Sequence, residues 1–214
     1  NSLELPQRQN ELIARVAAAN PRTVVVLQTG SPVTLPWLDA VPAVLQAWYP
    51  GQECGNSIAD VLLGATEPGG RLTQTWPLRE QDGVAFGQPL NYPGQDGHVR
   101  YDEGVFIGYR HYQQRGLQTL FPFGHGLSYT EFEYGPIRGL PSRFKAGDSI
   151  TVELSVRNTG RRAGQTVVQL YVQDEACSMP RPLRELKAFA KLTLGAGESG
   201  LARLTLPMRA FAFF

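Results

Sequence analysis

Cysteine, methionine and histidine are scarce in this 214-residue chain, which holds two Cys, two Met and three His. Cys54 and Cys177 stand far apart, in segments that read as different domains. A bridge between them stays open, but the plainer expectation is two free, buried thiols, the usual habit of unpaired cysteine. His98, His111 and His125 have no metal-type spacing with one another or with the cysteines, which argues against a zinc site. Hydrogen-bonded or solvated imidazoles are expected instead, with no metal ion and no cofactor. Long apolar runs are missing as well. Stretches such as Val24–Leu27 fall far short of the roughly 20 residues that cross a bilayer, so no membrane partner is expected. Charge of one sign is also lacking: 20 Lys and Arg stand against 19 Asp and Glu, for a formal net charge of +1. No basic run alternates with aromatics, so the footprint of a nucleic-acid binder is absent.

Several catalytic signatures are missing too. No G-x-G-x-x-G or G-x-x-x-x-G-K-[ST] occurs, which removes support for nucleotide chemistry. Gly30-Ser31-Pro32 is not the G-x-S-x-G elbow of a serine hydrolase. No secretion signal is visible. The first residue, Asn1, is not an initiator Met, so the natural N-terminus is expected elsewhere and export stays open.

What is present is a globular, loop-rich composition, 42% apolar and 18% charged with 23 Gly and 16 Pro, in a length that suits two small domains. Leu5 to Asn20 reads as an amphipathic helix, with Pro6 at its start, apolar residues at Leu12, Ile13, Val16 and Ala17, and Asn20-Pro21 as a stop. Thr23–Gly30 reads as a strand buried on both faces. A short helical segment near Leu35–Ala40, a second strand over Ala43–Trp48 and a helix through Gly55–Leu63 continue an α/β pattern with a parallel sheet. Ligands of such sheets bind beyond the carboxyl ends of strands, which draws attention to Thr29-Gly30-Ser31 and to Tyr49–Glu53.

From Glu67 to about Gly126 the chain is rich in Gly, Pro and aromatics and has little periodicity, as expected of a long, structured and functional connector. Beyond it, alternation of period two marks Tyr129–Tyr134, Ile150–Val156, Val167–Val172, Leu186–Leu194 and Leu201–Leu206 as strands of a β-sandwich. These are about five strands where an immunoglobulin-like sandwich has about seven. The apolar end Ala210–Phe214 is therefore expected to leave an open core, with the natural chain continuing past it. The division expected is 1–85 for the α/β part, 86–130 for the connector and 131–214 for the sandwich.

A glycosidase needs two carboxyl groups about 5 to 5.5 Å apart for retention, or about 6.5 to 9.5 Å apart for inversion. Asp102 and Glu103 are adjacent and, on an extended chain, point to opposite faces. Glu53, just before a helix, suits capping or an ion pair better than catalysis.

Several phrases nevertheless occur in a telling order. They are Val24–Leu27 with Gly30-Ser31-Pro32-Val33 and Pro36-Trp37, Ala47–Glu53, Ala59–Gly64, Pro68–Leu72 and Thr75-Trp76-Pro77, then Tyr101–Gly104, Gly108–Tyr112, Phe121–Tyr129, Val156–Gly160 with Gly164, and Glu185–Phe189. Together they resemble the C-terminal α/β domain and the fibronectin type III-like domain of family 3 glycoside hydrolases of the β-glucosidase type. The resemblance implies retaining, exo-acting hydrolysis of terminal β-D-glucosyl or β-xylosyl residues, with a β-linked oligosaccharide or glycoside as substrate. It also implies an N-terminal TIM-like barrel of the same protein that supplies an Asp nucleophile, and a Glu acid/base on a loop preceding Ser2-Leu3-Glu4-Leu5-Pro6. Glu4 itself falls in the helix-entry phrase and does not take that role. No catalytic residue is therefore expected in this chain, and the isolated chain is expected to be inactive.

Tyr101, Tyr109, Arg110 and Tyr112 are the substrate-binding candidates, through aromatic faces for a pyranose and a planar guanidinium fork; the alternative is that they only pin the connector. A homodimer stays open, and the resemblance favours a periplasmic or secreted setting. The competing reading is a non-catalytic carbohydrate-binding or domain-docking module.

Overall fold

The computed structural model describes residues 2–145 and 147–212. Phe213 and Phe214, at the apolar end expected to leave the core open, lie outside the described residues, as do Asn1 and Ala146. The chain forms two compact units: one runs to Leu63 and resumes over Leu72–Gly124, and the other combines Gly64–Arg71 with the residues from His125 onward.

In the first unit, helix α1 spans Gln9–Ala19, a shorter helix than the pattern from Leu5 suggests. The Pro6 carbonyl closes a turn with the Gln9 N–H at 3.4 Å, and the first helical bond runs from Leu12 N–H to the Arg8 carbonyl at 2.9 Å. Asn20 then turns extended at φ −140°, as expected of a residue before proline. Strand β1, Val24–Leu27, pairs in parallel with β2, Ala43–Gln46, with Val25 opposite Val44. Within this unit β1 buries Val25 and Leu27 while Val24 is 46% exposed, so one face is packed rather than the expected two. Helix α2, Cys54–Leu62, follows. The aromatic, Gly-rich stretch holds β3, Trp76–Pro77, helix α3, Tyr109–Arg115, and β4, Thr119–Phe121, which pairs antiparallel with β3.

The core of this unit gathers Leu5, Val25, Leu27, Val33, Leu35 and Trp37 around Trp76. Trp76 is 2% exposed, and Trp48 and Phe121 meet it edge-on at 6.4 and 6.1 Å between ring centroids, a favoured aromatic geometry. Trp37 Nε1–H donates to Asn10 Oδ1 at 2.9 Å, which ties α1 to the same core.

The second unit is all β. Strands β5 (Phe132–Arg138), β6 (Ser149–Asn158) and β9 (Ser199–Pro207) form one antiparallel sheet in the order β5-β6-β9. Strands β7 (Gly164–Val172) and β8 (Glu185–Leu194) form a second. Four of the five segments read as strands form over the residues read, and the first begins at Phe132 rather than Tyr129 and runs on to Arg138. Ile150, Val152 and Val156 of β6, Ala202 and Leu204 of β9, Val168 and Leu194 make the core. The residues between them carry polar cross-strand pairs: Arg203 Nε–H donates to Glu153 at 2.7 Å, and the Thr151 and Thr205 hydroxyls meet at 2.9 Å. Both pairs are directly opposite in register, the geometry in which such contacts support a sheet. The architecture is thus α/β plus an all-β sandwich.

The thiols depart from expectation. Cys54 is half-buried, Cys177 is exposed, and both are free. Cys177 lies in the loop between β7 and β8, where Sγ–H donates to the Asp174 carbonyl at 3.2 Å, and loops run over the surface.

Asn158, with no exposed surface, ends β6. Its Oδ1 accepts from the Thr130 hydroxyl at 2.6 Å and from the Gly160 N–H at 3.0 Å. Its Nδ2 donates to the carbonyls of Arg162 at 2.7 Å and Leu194 at 3.1 Å. An amide offers two donor hydrogens and two lone pairs, and all four are engaged. Asn158→Ala would strand two buried partners, the Thr130 hydroxyl and the Leu194 carbonyl, along with two half-buried ones, and is expected to lower unfolding free energy by about 3 kcal/mol or more. Asn158→Asp keeps the shape but loses both donors and should be nearly as damaging. Urea denaturation followed by circular dichroism measures both, and a loss under about 1 kcal/mol would remove Asn158 from its role.

Candidate functional site

A cavity of about 570 Å³ opens in the first unit between β3, the Gly83-Val84 turn and α3. Pro32, Pro77, Val84, Ile107 and Phe123 give it apolar walls, and Thr73, Gln74, Thr75 and Arg110 supply polar groups. Three of the four residues nominated from the sequence, Tyr109, Arg110 and Tyr112, line it together. Tyr101 does not: it is 79% exposed, in a turn closed by Gly104 N–H donating to its carbonyl at 3.2 Å.

Two glycines frame the short helix that carries this cluster. Gly108 enters α3 at φ 52° and ψ −137°, and Gly116 leaves it in the left-handed conformation at φ 61°, both backbone states that side chains resist. On α3, Tyr109 packs against Phe123 at 5.5 Å between ring centroids, and the Arg110 guanidinium lies 5.8 Å from the Tyr109 ring centre, within range of a cation–π contact. His111 and Tyr112 turn inward and are both buried.

Behind α3 sits an ionic pin that the sequence reading did not find. Arg79 grips the buried Asp82 through two bonds, Nη2 to Oδ1 at 2.8 Å and Nε to Oδ2 at 3.2 Å. His111 Nε2–H donates to the Asp82 carbonyl at 3.0 Å. The Arg79 hydrogen bond holds the Asp82 carboxyl below its ordinary value against the opposing effect of desolvation. Burial, helped by the Asp82 charge, pushes the Tyr112 phenol up. The i,i+3 spacing of Arg79 and Asp82 was the one available signal. Thr75, which the sequence marks only as part of a phrase, is 8% exposed, lines the cavity, and its Oγ1 has no hydrogen-bond partner among the described residues.

Among the described residues, no Asp or Glu lines the cavity. Asp102 pairs with Arg100 at 3.2 Å, while Glu103 accepts from Asn91 Nδ2 at 3.1 Å, so the two neighbours serve different partners. Glu53 precedes α2 without capping it and accepts from the Asn56 side chain at 2.6 Å. Among the described residues, no group of three or more His, Cys, Asp or Glu side chains could hold a metal ion, and no helix is long and apolar enough to cross a membrane. The arrangement is suited to holding a flat or apolar surface beside a few hydrogen-bonding groups.

Residues 1–129 match the glycosyl hydrolase family 3 C-terminal domain, and residues 166–214 match the fibronectin type III-like domain. The chain belongs to glycoside hydrolase family 3. A beta-glucosidase of Rhizobium radiobacter is 53% identical over 213 residues, which is 99% of this chain and 26% of that protein. The thermostable beta-glucosidase B of Acetivibrio thermocellus is 45% identical over 99% of this chain and 28% of its own length. Among solved structures, a beta-glucosidase from Streptomyces venezuelae in complex with D-glucose superposes with a TM-score of 0.91 at 42% identity, covering 97% of this chain and 26% of that one. The family 3 chain thus spans about a quarter of the length of the relatives it matches.

The Arg79–Asp82 pin makes stability depend on pH with a fixed sign. A carboxyl lowered in the folded state adds stability that is complete above the unfolded value near 4 and fades as pH falls through the folded value. Asp82→Asn should therefore be less stable than the unaltered chain at pH 6, and the difference should shrink toward pH 3. Urea midpoints across that range check it, and a difference that does not narrow would contradict the assignment.

Proposed function

We propose that this family 3 chain is the C-terminal portion of an exo-acting, retaining β-glucosidase. Its substrates would be oligosaccharides or glycosides with terminal β-D-glucosyl residues, with β-xylosyl residues as a second class. The observation that carries the reading is 53% identity over nearly the whole chain to a protein named beta-glucosidase, of which it spans 26%. Retention requires a nucleophile and an acid/base about 5 to 5.5 Å apart. We place both outside these residues, on an N-terminal TIM-like barrel and on a loop before Ser2, so that the isolated chain is inactive. We keep 1–85 as the α/β portion, 86–130 as the connector and 131–214 as the sandwich.

The contribution of the chain itself is to support the site and form its rim. Tyr109 and Tyr112 offer faces that suit the C–H side of a pyranose, and Arg110 offers donors to its hydroxyls. Tyr101, 79% exposed on its own turn, is kept as a fourth rim candidate. A second reading, docking of another domain, is favoured by the exposed Val105 and Ile107, each about half accessible.

Hydrolysis of 4-nitrophenyl β-D-glucoside separates these ideas. The parent protein should turn it over, and the isolated 214-residue chain should not exceed the uncatalysed rate; turnover by the isolated chain would place the catalytic carboxylates within it. Arg110→Ala in the parent should raise KM about tenfold with a smaller change in kcat. Unchanged constants would return Arg110 to a packing role. Calorimetric titration of the isolated chain with cellobiose tests the module reading, which clear binding would favour.

A further inference from the structure

Two segments singled out in the sequence, Thr29-Gly30-Ser31 and Tyr49–Glu53, have no part in the cluster of Tyr109, Arg110 and Tyr112. Strands β1 and β2 are parallel, so both segments leave the sheet at its carboxyl edge, where sheets of this kind take ligands. Side chains fasten the two exits together. Gln46 Nε2–H donates to the carbonyl and the hydroxyl of Thr29 at 3.1 and 3.2 Å. Gln28 Nε2–H donates to Cys54 Sγ at 3.2 Å, at the start of α2.

Between these ties the backbone takes a strained step. Trp48 has φ 53°, a left-handed state that bulky side chains avoid. Its ring packs on the core and meets Trp76 edge-on, and the next residue, Tyr49, is left 81% exposed. Strain of this kind persists only where the surrounding structure holds it, and it gathers at ligand sites. The exposed ring is nonetheless seated: its phenol end lies against Gly30, where an added Cβ would overlap it. Gly30 is not among the glycines at positive φ, so the position needs room for Tyr49 and not backbone freedom.

The exposed Gln28, Ser31 and Glu53 stand along the same two exits. Glu53 accepts from Asn56 at 2.6 Å and keeps lone pairs for other donors. A seated aromatic ring beside an amide, a hydroxyl and a carboxylate matches a pyranose, which presents an apolar C–H face and hydroxyls that donate and accept. Tyr49 is not in the cavity wall, but Pro32 is, and the two residues from Gly30 to Pro32 span at most about 8 Å. We propose that Tyr49 is a specificity-determining contact for sugar-chain length: its ring stacks on a glucose unit beyond the one held at the cavity, and Gln28, Ser31 and Glu53 bond the hydroxyls of that unit. This names the substrate class of the function proposed above, β-linked gluco-oligosaccharides longer than a disaccharide, and rests on that reading for the identity of the sugar.

Kinetics and binding on the parent protein test it. Tyr49→Ala should lower kcat/KM for cellotetraose about tenfold relative to that for 4-nitrophenyl β-D-glucoside, through KM and not kcat. Tyr49→Phe keeps the ring and should hold the ratio of the two within about threefold of the unaltered protein, whereas Gly30→Ala crowds the phenol end and should shift the ratio in the direction of Tyr49→Ala. Equal losses on both substrates would make Tyr49 a packing or domain-docking residue. An unchanged ratio, or a loss in Tyr49→Phe as large as in Tyr49→Ala, would remove ring stacking. Each of these results overturns the proposal. Calorimetric titration with thio-linked cellotetraose, which resists hydrolysis, reads binding without turnover, and Tyr49→Ala should weaken it about tenfold, with far-UV circular dichroism reporting the fold. A parent that shows this weakening but does not hydrolyse the aryl glucoside fails the functional reading alone. One that hydrolyses the aryl glucoside while Tyr49→Ala binds the thio-linked chain as tightly as before fails the Tyr49 proposal alone.

Discussion

A buried amide, Asn158, ties the two sheets of the second unit into one arrangement, with the Tyr134–Thr166 hydroxyl contact at 2.7 Å as a second link between them. Hydrophobic burial brings β6 and β8 together but does not fix how far each runs before turning. Asn158 does so with four directional bonds: β6 ends where the amide must meet the Leu194 carbonyl of the other sheet and the Arg162 carbonyl of the following turn. A buried amide half satisfied would be worse than an apolar residue, whereas one fully satisfied specifies geometry. The Thr130 hydroxyl on Oδ1 brings the entry to β5 under the same control.

The first unit obtains order by different means. Trp76 supplies area and two edge-on aromatic contacts, which organise the middle of the core without pinning its rim. The rim is set by charge: Arg79 orients Asp82, whose carbonyl receives His111, and His111 fixes the rotation of α3. Which residues of α3 face the cavity and which are buried follows from that contact. Arg110 and Tyr109 reach the cavity because His111, between them and Tyr112 in sequence, is occupied behind it.

Much of this was legible in the chain. Period-two alternation located all five strands of the sandwich, since one face of each is dry and the other wet. The α-β-β-α order of the first unit was readable from Pro, Asn-Pro and β-branched runs. Helix α3 was not, because seven residues make too few turns to show a period and three of them are aromatic or histidine. Tyr109, Arg110 and Tyr112 were nominated for their aromatic faces and guanidinium fork, and they line one cavity, whereas Tyr101 stands apart on its own turn. The burial of Thr75 and Asp82 was not legible for a physical reason: burial of a polar group is decided by what folds over it. Cys177 misled because its residue type predicts burial while its loop decides exposure.

The segment Gly64–Arg71 belongs with the sandwich although the residues on both sides of it belong with the α/β unit. The polypeptide therefore passes between the two units at three points, near residues 63, 71 and 124, and not at one. A recombination event or an engineered cut near residue 71 or 124 would part Glu67 and Arg71 from Gln165, which they bond, and one near residue 63 would divide the α/β unit itself. Inheritance of these two units is thus expected to be joint: evolution can exchange them as a pair far more readily than it can shuffle either one alone.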